Sequence, residues 1–189
     1  MGGTAAGHGS AVPRSTPGRT YRCPMGILRR TPQLPDQVRA ALPDAKPLAW
    51  ATAAGGETGV VTVDHLAIVA KDGAVREIPW TLFDGADWDD ETATLTLREV
   101  DGGTHALRLP DDPRRFTQAV RMRIEASLVH VVQRPVPGGG MVRAAVRRDP
   151  AGTLSSQVSI LGTAREDREV LDLASEVEAE ARGAVGLPV

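Results

Sequence analysis

The chain has 189 residues and a nearly balanced charge: 24 acidic side chains stand against 22 Lys and Arg residues, for a formal net charge of −2. This balance gives no global electrostatic reason to expect nucleic acid or an anionic membrane as a partner. The single cysteine, Cys23, excludes an internal disulfide, and no apolar run approaches the roughly 20 residues of a membrane helix, so we expect a cytoplasmic protein.

Residues 1–33 are predicted to be a disordered N-terminal extension. Residues 1–24 consist largely of Gly, Ala, Ser, Thr and Pro, a composition that buries too little apolar surface to offset its ordering entropy. The run Met-Gly-Ile-Leu-Arg-Arg that begins at Met25 is a more ordinary protein start, and we expect translation to begin there.

Residues 34–129 are predicted to form the first domain. Leu34, Val38 and Leu42 recur every fourth residue and predict a short helix over residues 35–42. The apolar period then changes from four to two, which is typical of strands. About six short strands are predicted, at residues 48–52, 60–63, 66–70, 75–80, 92–100 and 104–109.

A longer helix is predicted to close this domain at residues 112–128. Phe116, Val120, Ile124 and Leu128 lie four residues apart, while the arginines of the segment lie off that line. The pattern indicates a helix that packs one apolar stripe on the core.

The tail, residues 130–189, is predicted to be a small unit of three strands and a helix. Thr163 with Glu166 is a capping box at the start of that helix, and Gly183 ends it. Three strands are marginal alone, so we expect this unit to pack on its own helix and on the first domain. Its strands are predicted at residues 129–136, 141–148 and 154–161.

Two segments of the strand region carry a recognisable pattern: Gly-Val-Val-Thr-Val-Asp-His-Leu-Ala-Ile-Val at 59–69 and Arg-Glu-Ile-Pro-Trp at 76–80. The first resembles the opening strand pair of bacterial PH-like (pleckstrin-homology-like, GRAM-like) domains, and the second resembles the strand that follows in them. Asp-Trp-Asp at 87–89, Thr-Leu-Thr-Leu at 94–97 and the helix at 112–128 complete the order. From about residue 34 the chain is similar to a group of actinobacterial proteins, and its scarcity of lysine fits a high-GC bacterial genome.

The resemblance implies an α+β fold: a seven-stranded, strongly bent antiparallel sheet or barrel that a C-terminal helix caps. Six of these strands are visible in the pattern, and the seventh is expected from a split of residues 75–88 at Leu82-Phe83. In phosphoinositide-binding members, the loop between the first two strands carries basic residues for the phosphates. Here that loop, residues 53–58, contains Glu57 and no base, so we do not expect it to bind a lipid headgroup.

Arginine is concentrated in residues 113–148, whereas the final helix is acidic. Two interpretations are open: the charged faces are solvated or pair within the chain, or the arginines form a surface for a polyanion or an acidic partner. On their strand, Arg143 and Arg147 fall on one face and the apolar residues between them on the other. The candidate binding residues are Arg114, Arg115, Arg121, Arg143 and Arg147.

No local motif marks a catalytic or metal site, and we predict no enzyme activity, no cofactor and no metal. The histidines show no His-x-x-x-His spacing, and the lone cysteine excludes a Cys-x-x-Cys pair. Ser127, His130 and Asp112 could assemble a triad in space, but no nucleophile elbow marks the serine. The densest acidic cluster, residues 84–91, matches no calcium loop and is interpreted as a solvated strand and turn.

The sequence therefore predicts a non-catalytic PH-like interaction or scaffold module that offers a sheet edge, or the groove beside the 112–128 helix, to a protein partner. Two alternatives stay open. The first is binding of an anion or nucleic acid through the arginines, and the second is an enzyme with an unrecognised site.

Overall fold

The computed structural model describes residues 1–2, 33–165 and 167–188. Leu34–Val189 form one compact unit. The predicted disorder of residues 1–33 and the predicted start at Met25 therefore fall, apart from residues 1–2 and 33, outside the described residues. The predicted division of the compact unit between residues 129 and 130 stays a prediction.

The first elements of the fold are a short helix and four strands: α1 Asp36–Ala41, β1 Ala49–Thr52, β2 Thr58–Val61, β3 His65–Val69 and β4 Val75–Pro79. The four strands form an antiparallel sheet in the order β1-β2-β3-β4. Val38 and Leu42 of the α1 segment pack on the outer face of β2 and β3, against Val60, Ala67 and Val69. The predicted short helix and the predicted strands of this region are confirmed.

A three-stranded antiparallel sheet follows, formed by β5 (Phe83–Asp89), β6 (Thr94–Glu99) and β7 (Thr104–Arg108). A single helical turn, Trp80–Leu82, joins it to β4. The predicted split at Leu82-Phe83 is confirmed, because β5 begins at Phe83. The apolar faces of the two sheets meet in a core that contains Trp80, Phe83, Leu97 and Leu107.

Helix α2 (Arg114–Ser127) closes this core, as its period predicts. Phe116, Val120 and Ile124 are all buried against the two sheets. The ring of Phe116 approaches the backbone of Gly59 in β2 so closely that a Cβ atom there would lie 2.6 Å from its Cζ atom. Because Gly59 has no side chain, α2 can pack directly on the backbone of β2.

The tail folds into three strands and a terminal helix: β8 Leu128–Pro135, β9 Met141–Arg148, β10 Leu154–Leu161 and α3 Arg168–Ala184. The strands form a third antiparallel sheet in the order β10-β9-β8. They match the predicted ranges to within one residue at each end. One face of the sheet packs on α3 through the buried side chains of Val142, Ala144 and Val146.

The predicted start of α3 at Thr163 is wrong. The helix begins at Arg168, and its cap is Asp167, whose side chain accepts a hydrogen bond of 3.0 Å from the Val170 amide. Thr163 and Asp167 are both good capping residues one turn apart, and the residue pattern alone does not choose between them. Glu166, the other half of the predicted capping box, lies outside the described residues.

The predicted α+β class, with antiparallel sheets and a C-terminal helix, is confirmed. Within the ranges 33–165 and 167–188, no helix combines the length and the apolar character needed to cross a membrane.

Candidate functional site

The central strand of the third sheet, β9, has two buried faces of opposite character. Val142, Ala144 and Val146 point towards α3, whereas Arg143 and Arg147 point the other way. The second face is largely shielded from solvent, because the sheet packs there against β5, the end of α2 and the Trp80–Leu82 turn. We call this polar contact surface, formed by Arg143 and Arg147 with Asp84, Ser127 and Gln157, the seam.

Arg147 is buried in the seam, with only 1% of its surface exposed. Its Nη1 donates to Ser127 Oγ at 2.9 Å, and its Nε donates to Gln157 Oε1 at 3.1 Å. Gln157 in turn donates 2.7 Å to the Thr81 carbonyl oxygen. Burial lowers the pKa of the Arg147 guanidinium, the charge of Arg143 lowers it further, and Asp84 opposes both. A buried cation with no carboxylate bonded to it costs desolvation energy that neutral acceptors offset only in part.

Arg143 pairs with Asp84 of β5 across the seam, and both side chains are largely buried, at 14% and 15% exposed. This ion pair, together with the Gln157–Thr81 hydrogen bond, ties β9 and β10 to the second sheet. The two contacts therefore determine where β10 lies relative to β5.

The choice of Arg143 and Arg147 as candidate binding residues needs correction, since Arg147 is buried and Arg143 is largely buried in this fold. Alternation along a strand shows that two residues share a face, but not what packs on that face. Of the other three candidates, Arg114 is fully accessible, with 91% of its side chain exposed. Arg115 reaches the Leu48 carbonyl oxygen at 3.5 Å, and Arg121 bonds Glu125 along α2 at 2.7 Å. These three helix residues thus do not form one surface with the strand residues.

The charges of the tail also pair within the chain, as one of the two interpretations predicted. Arg134 of β8 lies 2.5 Å from Glu180 and 3.8 Å from Glu176 on α3. Arg182 donates 2.9 Å to Ser156 of β10 and lies 3.8 Å from Glu178.

The edge of β10 is unlike the other sheet edges of the described chain. In the described residues β10 pairs with β9 alone, and its eight residues, Leu-Ser-Ser-Gln-Val-Ser-Ile-Leu, contain no charge and no proline. Charged residues and proline are the usual protection of an edge strand against pairing with another chain. The edge strands β4, β5, β7 and β8 all carry charges, and β1, which does not, is only four residues long.

A cleft of about 580 Å³ runs along the second half of β10, and we call it the β10 cleft. Val158, Ser159, Ile160 and Leu161 form its floor. One wall is α3, with Leu171, Ala174, Ser175 and Glu178, and the other is the second sheet, with Asp84, Arg98, Thr104 and the turn from Glu99 to Gly102.

The β10 cleft combines apolar and acidic surface. Leu161 and Leu171 are 37% and 49% exposed at its rim. Its lining contains four carboxylates, from Asp84, Glu99, Asp101 and Glu178, but one cation, Arg98. Exposed apolar surface beside charged groups is typical of a protein-binding site.

The acidic cluster of residues 84–91 lies on β5 and the turn after it, as predicted, but Asp84 is not solvated, because it pairs with Arg143 in the seam. Asp87, Asp89 and Asp90 make local contacts. Asp87 pairs with Arg98, and Asp90 accepts a 2.6 Å hydrogen bond from the Trp88 indole. The backbone amide and side chain of Thr92, and then the amide of Glu91, lower the pKa of Asp89. Within the described residues, no group of three or more potential metal ligands occurs.

The hypothetical triad of Ser127, His130 and Asp112 is wrong. Asp112 and Ser127 lie at opposite ends of α2, whose 14 residues, at about 1.5 Å each, separate them by roughly 20 Å. Ser127 Oγ instead donates 2.7 Å to the Ile124 carbonyl oxygen and accepts from Arg147.

Comparison with family models, with curated proteins and with solved structures gave no match to the chain. A functional hypothesis therefore rests on the geometry of the chain itself.

Proposed function

We propose that this protein is a non-catalytic PH-like interaction module that binds an extended segment of a protein partner along the edge of β10. The observation that carries the proposal is an unprotected eight-residue edge strand that opens into a cleft. An extended segment that adds to such an edge gains main-chain hydrogen bonds, and its side chains enter the pockets on either side.

The order of elements supports the PH-like part of the proposal. A four-stranded sheet, a three-stranded sheet and then a closing helix follow one another along Ala49–Ser127. This is the order that the resemblance of segments 59–69 and 76–80 implies. The tail then adds a third sheet, whose seam with β5 positions the edge of β10 beside the second sheet.

Phosphoinositide binding is not part of the proposal. The turn between β1 and β2 carries Glu57 and no base. The side chain of Lys71, from the hairpin between β3 and β4, lies against Gly56 of this turn. A single exposed lysine is weak support for a multiply charged headgroup.

The proposal is tested with the full chain and a displayed library of random linear peptides of about 12 residues. We expect enriched peptides to slow amide hydrogen exchange in residues 154–161 and to leave residues 128–135 unchanged, because a paired edge strand loses its exposed amides. Ser159→Lys, which places a charge in the cleft, should weaken binding about tenfold or more. The matched control is Gln133→Lys, which adds the same charge to the exposed opposite strand of the sheet. Failure to enrich any peptide, or protection away from β10, would contradict the proposal.

A further inference from the structure

We infer that the segment bound at β10 alternates apolar and basic residues, with the apolar side chains against α3 and the basic ones against the second sheet. The inference rests on the proposed function and deepens it, since it names the chemistry of the partner.

The alternation follows from the position of the β10 edge between two different walls. A strand that pairs with β10 directs successive side chains to opposite faces of the third sheet. One of these faces carries α3, and the other faces β5 and the turn after β6. Odd and even residues of the bound segment therefore meet different surfaces.

The α3 wall is apolar where it adjoins β10. Val158 and Ile160 pack towards α3, and Leu171 and Ala174 continue this surface along the helix. Leu171 is half exposed, so a valine, isoleucine or leucine of the bound segment would remove that apolar area from water.

The opposite wall presents carboxylates to the cleft. Asp84 and Glu99 are each bonded to a cation, Arg143 and Arg76, so their charges are largely compensated. The Asp101 side chain accepts only the Gly103 amide, at 2.9 Å, within the described residues. Asp101 is thus the carboxylate of this wall that pairs with no cation of the described chain, and lysine or arginine is its complementary side chain.

The same charges argue against a second copy of the chain as the occupant. Two copies paired through β10 would bring their second-sheet walls, each with an unpaired Asp101, towards each other in a confined space. Like charges in such a contact are repulsive. A nucleic acid would meet the same repulsion.

The test compares three eight-residue peptides with the full chain by fluorescence anisotropy. The first repeats Val-Lys four times, the second repeats Val-Glu four times, and the third repeats Val-Val-Lys-Lys twice. We expect the Val-Lys peptide to bind at least about tenfold more tightly than either of the others, and its affinity to fall with salt. The third peptide has the same composition as the first, so it separates the alternation from simple charge.

A charge variant and its control locate the basic residues. Asp101→Ser keeps a side-chain acceptor for the turn but removes the charge. It should lower the affinity for the Val-Lys peptide roughly fivefold. Asp72→Ser is the matched control: Asp72 accepts the Ala74 amide in the same way, at 3.0 Å, in the hairpin between β3 and β4. It should leave affinity unchanged.

The outcomes distinguish the inference from the proposed function. If library peptides protect β10 but are acidic, or if Val-Glu binds as well as Val-Lys, the inference is wrong and the proposed function stands. If no peptide protects β10, the proposed function fails as well. Dimers that Ser159→Lys dissociates, without any peptide binding, would assign the edge to a second copy and overturn both.

Discussion

The two faces of β9 are both buried, yet they are built from different chemistry. Towards α3 the strand presents Val142, Ala144 and Val146, each with no exposed surface. Towards the second sheet it presents Arg143 and Arg147, which bond Asp84, Ser127 and Gln157. Apolar burial is non-directional and stabilises any close-packed arrangement, whereas the contacts of the seam form in one relative position only.

The two faces of β9 thus have different roles: one stabilises the tail, and the other fixes the position of β10. We expect the α3 face to supply most of the stability of the tail. The seam adds little net stability, because its charges lose their hydration, but it holds the edge of β10 beside the second sheet. The β10 cleft exists because of that position.

The largest loss of stability should follow from removing the partner of a buried charge in the seam. Asp84→Ala leaves Arg143 without its carboxylate and close to Arg147, and we expect it to lower the free energy of unfolding by about 3 to 4 kcal/mol. Urea denaturation measures the change. Asp87→Ala is the matched control on the same strand, since its partner Arg98 and Asp87 itself are 45% and 64% exposed, and it should cost under about 1 kcal/mol. Equal effects of the two variants would contradict the role assigned to the seam.

A smaller loss of stability is expected from a truncation in the apolar contact between β9 and α3. Val177 of α3 has no exposed surface, and Val177→Ala removes two methyl groups and leaves a cavity. The free energy of unfolding should fall by about 2 kcal/mol. Leu171→Ala, at a half-exposed position of the same helix, should cost less even though it removes a larger group. If Leu171→Ala were the more damaging change, the apolar face would not be the main source of stability.

Replacing the buried cation itself should have the smallest effect. Arg147→Met fills similar volume and removes a desolvated charge, so the free energy of unfolding should change by less than about 1 kcal/mol. The double variant Asp84→Ala with Arg147→Met is a further check. Without the charge of Arg147 beside Arg143, Asp84→Ala should lower the free energy of unfolding less, by a coupling energy of roughly 1 kcal/mol. A loss of several kcal/mol from Arg147→Met alone would show that the seam is a main source of stability.

Residue patterns were enough to predict the elements, because periods of two and about four are local properties. Residues 141–148 and 154–161 are strands with the predicted bounds, and the split at Leu82-Phe83 occurs where expected. The start of α3 was predicted wrongly, at Thr163, since Thr163 and Asp167 are both residue types that cap helices.

The site was not predictable in the same way. The sharing of one face by Arg143 and Arg147 follows from alternation, but their burial depends on what packs on that face, such as Asp84, which lies 59 residues before Arg143 in the chain. The β10 cleft likewise joins residues of β5, β10 and α3. One local signal was available: residues 154–161 are a long strand without charge or proline, which marks an unprotected edge if the strand lies outermost.

Binding at the edge of β10 should be visible in amide hydrogen exchange of the full chain with the Val-Lys peptide. We predict slower exchange in residues 154–161, unchanged exchange in residues 128–135, and loss of the protection in Ser159→Lys but not in Gln133→Lys. Protection confined to residues 128–135, or protection of residues 154–161 that Ser159→Lys leaves intact, would show that the edge of β10 is not the binding surface.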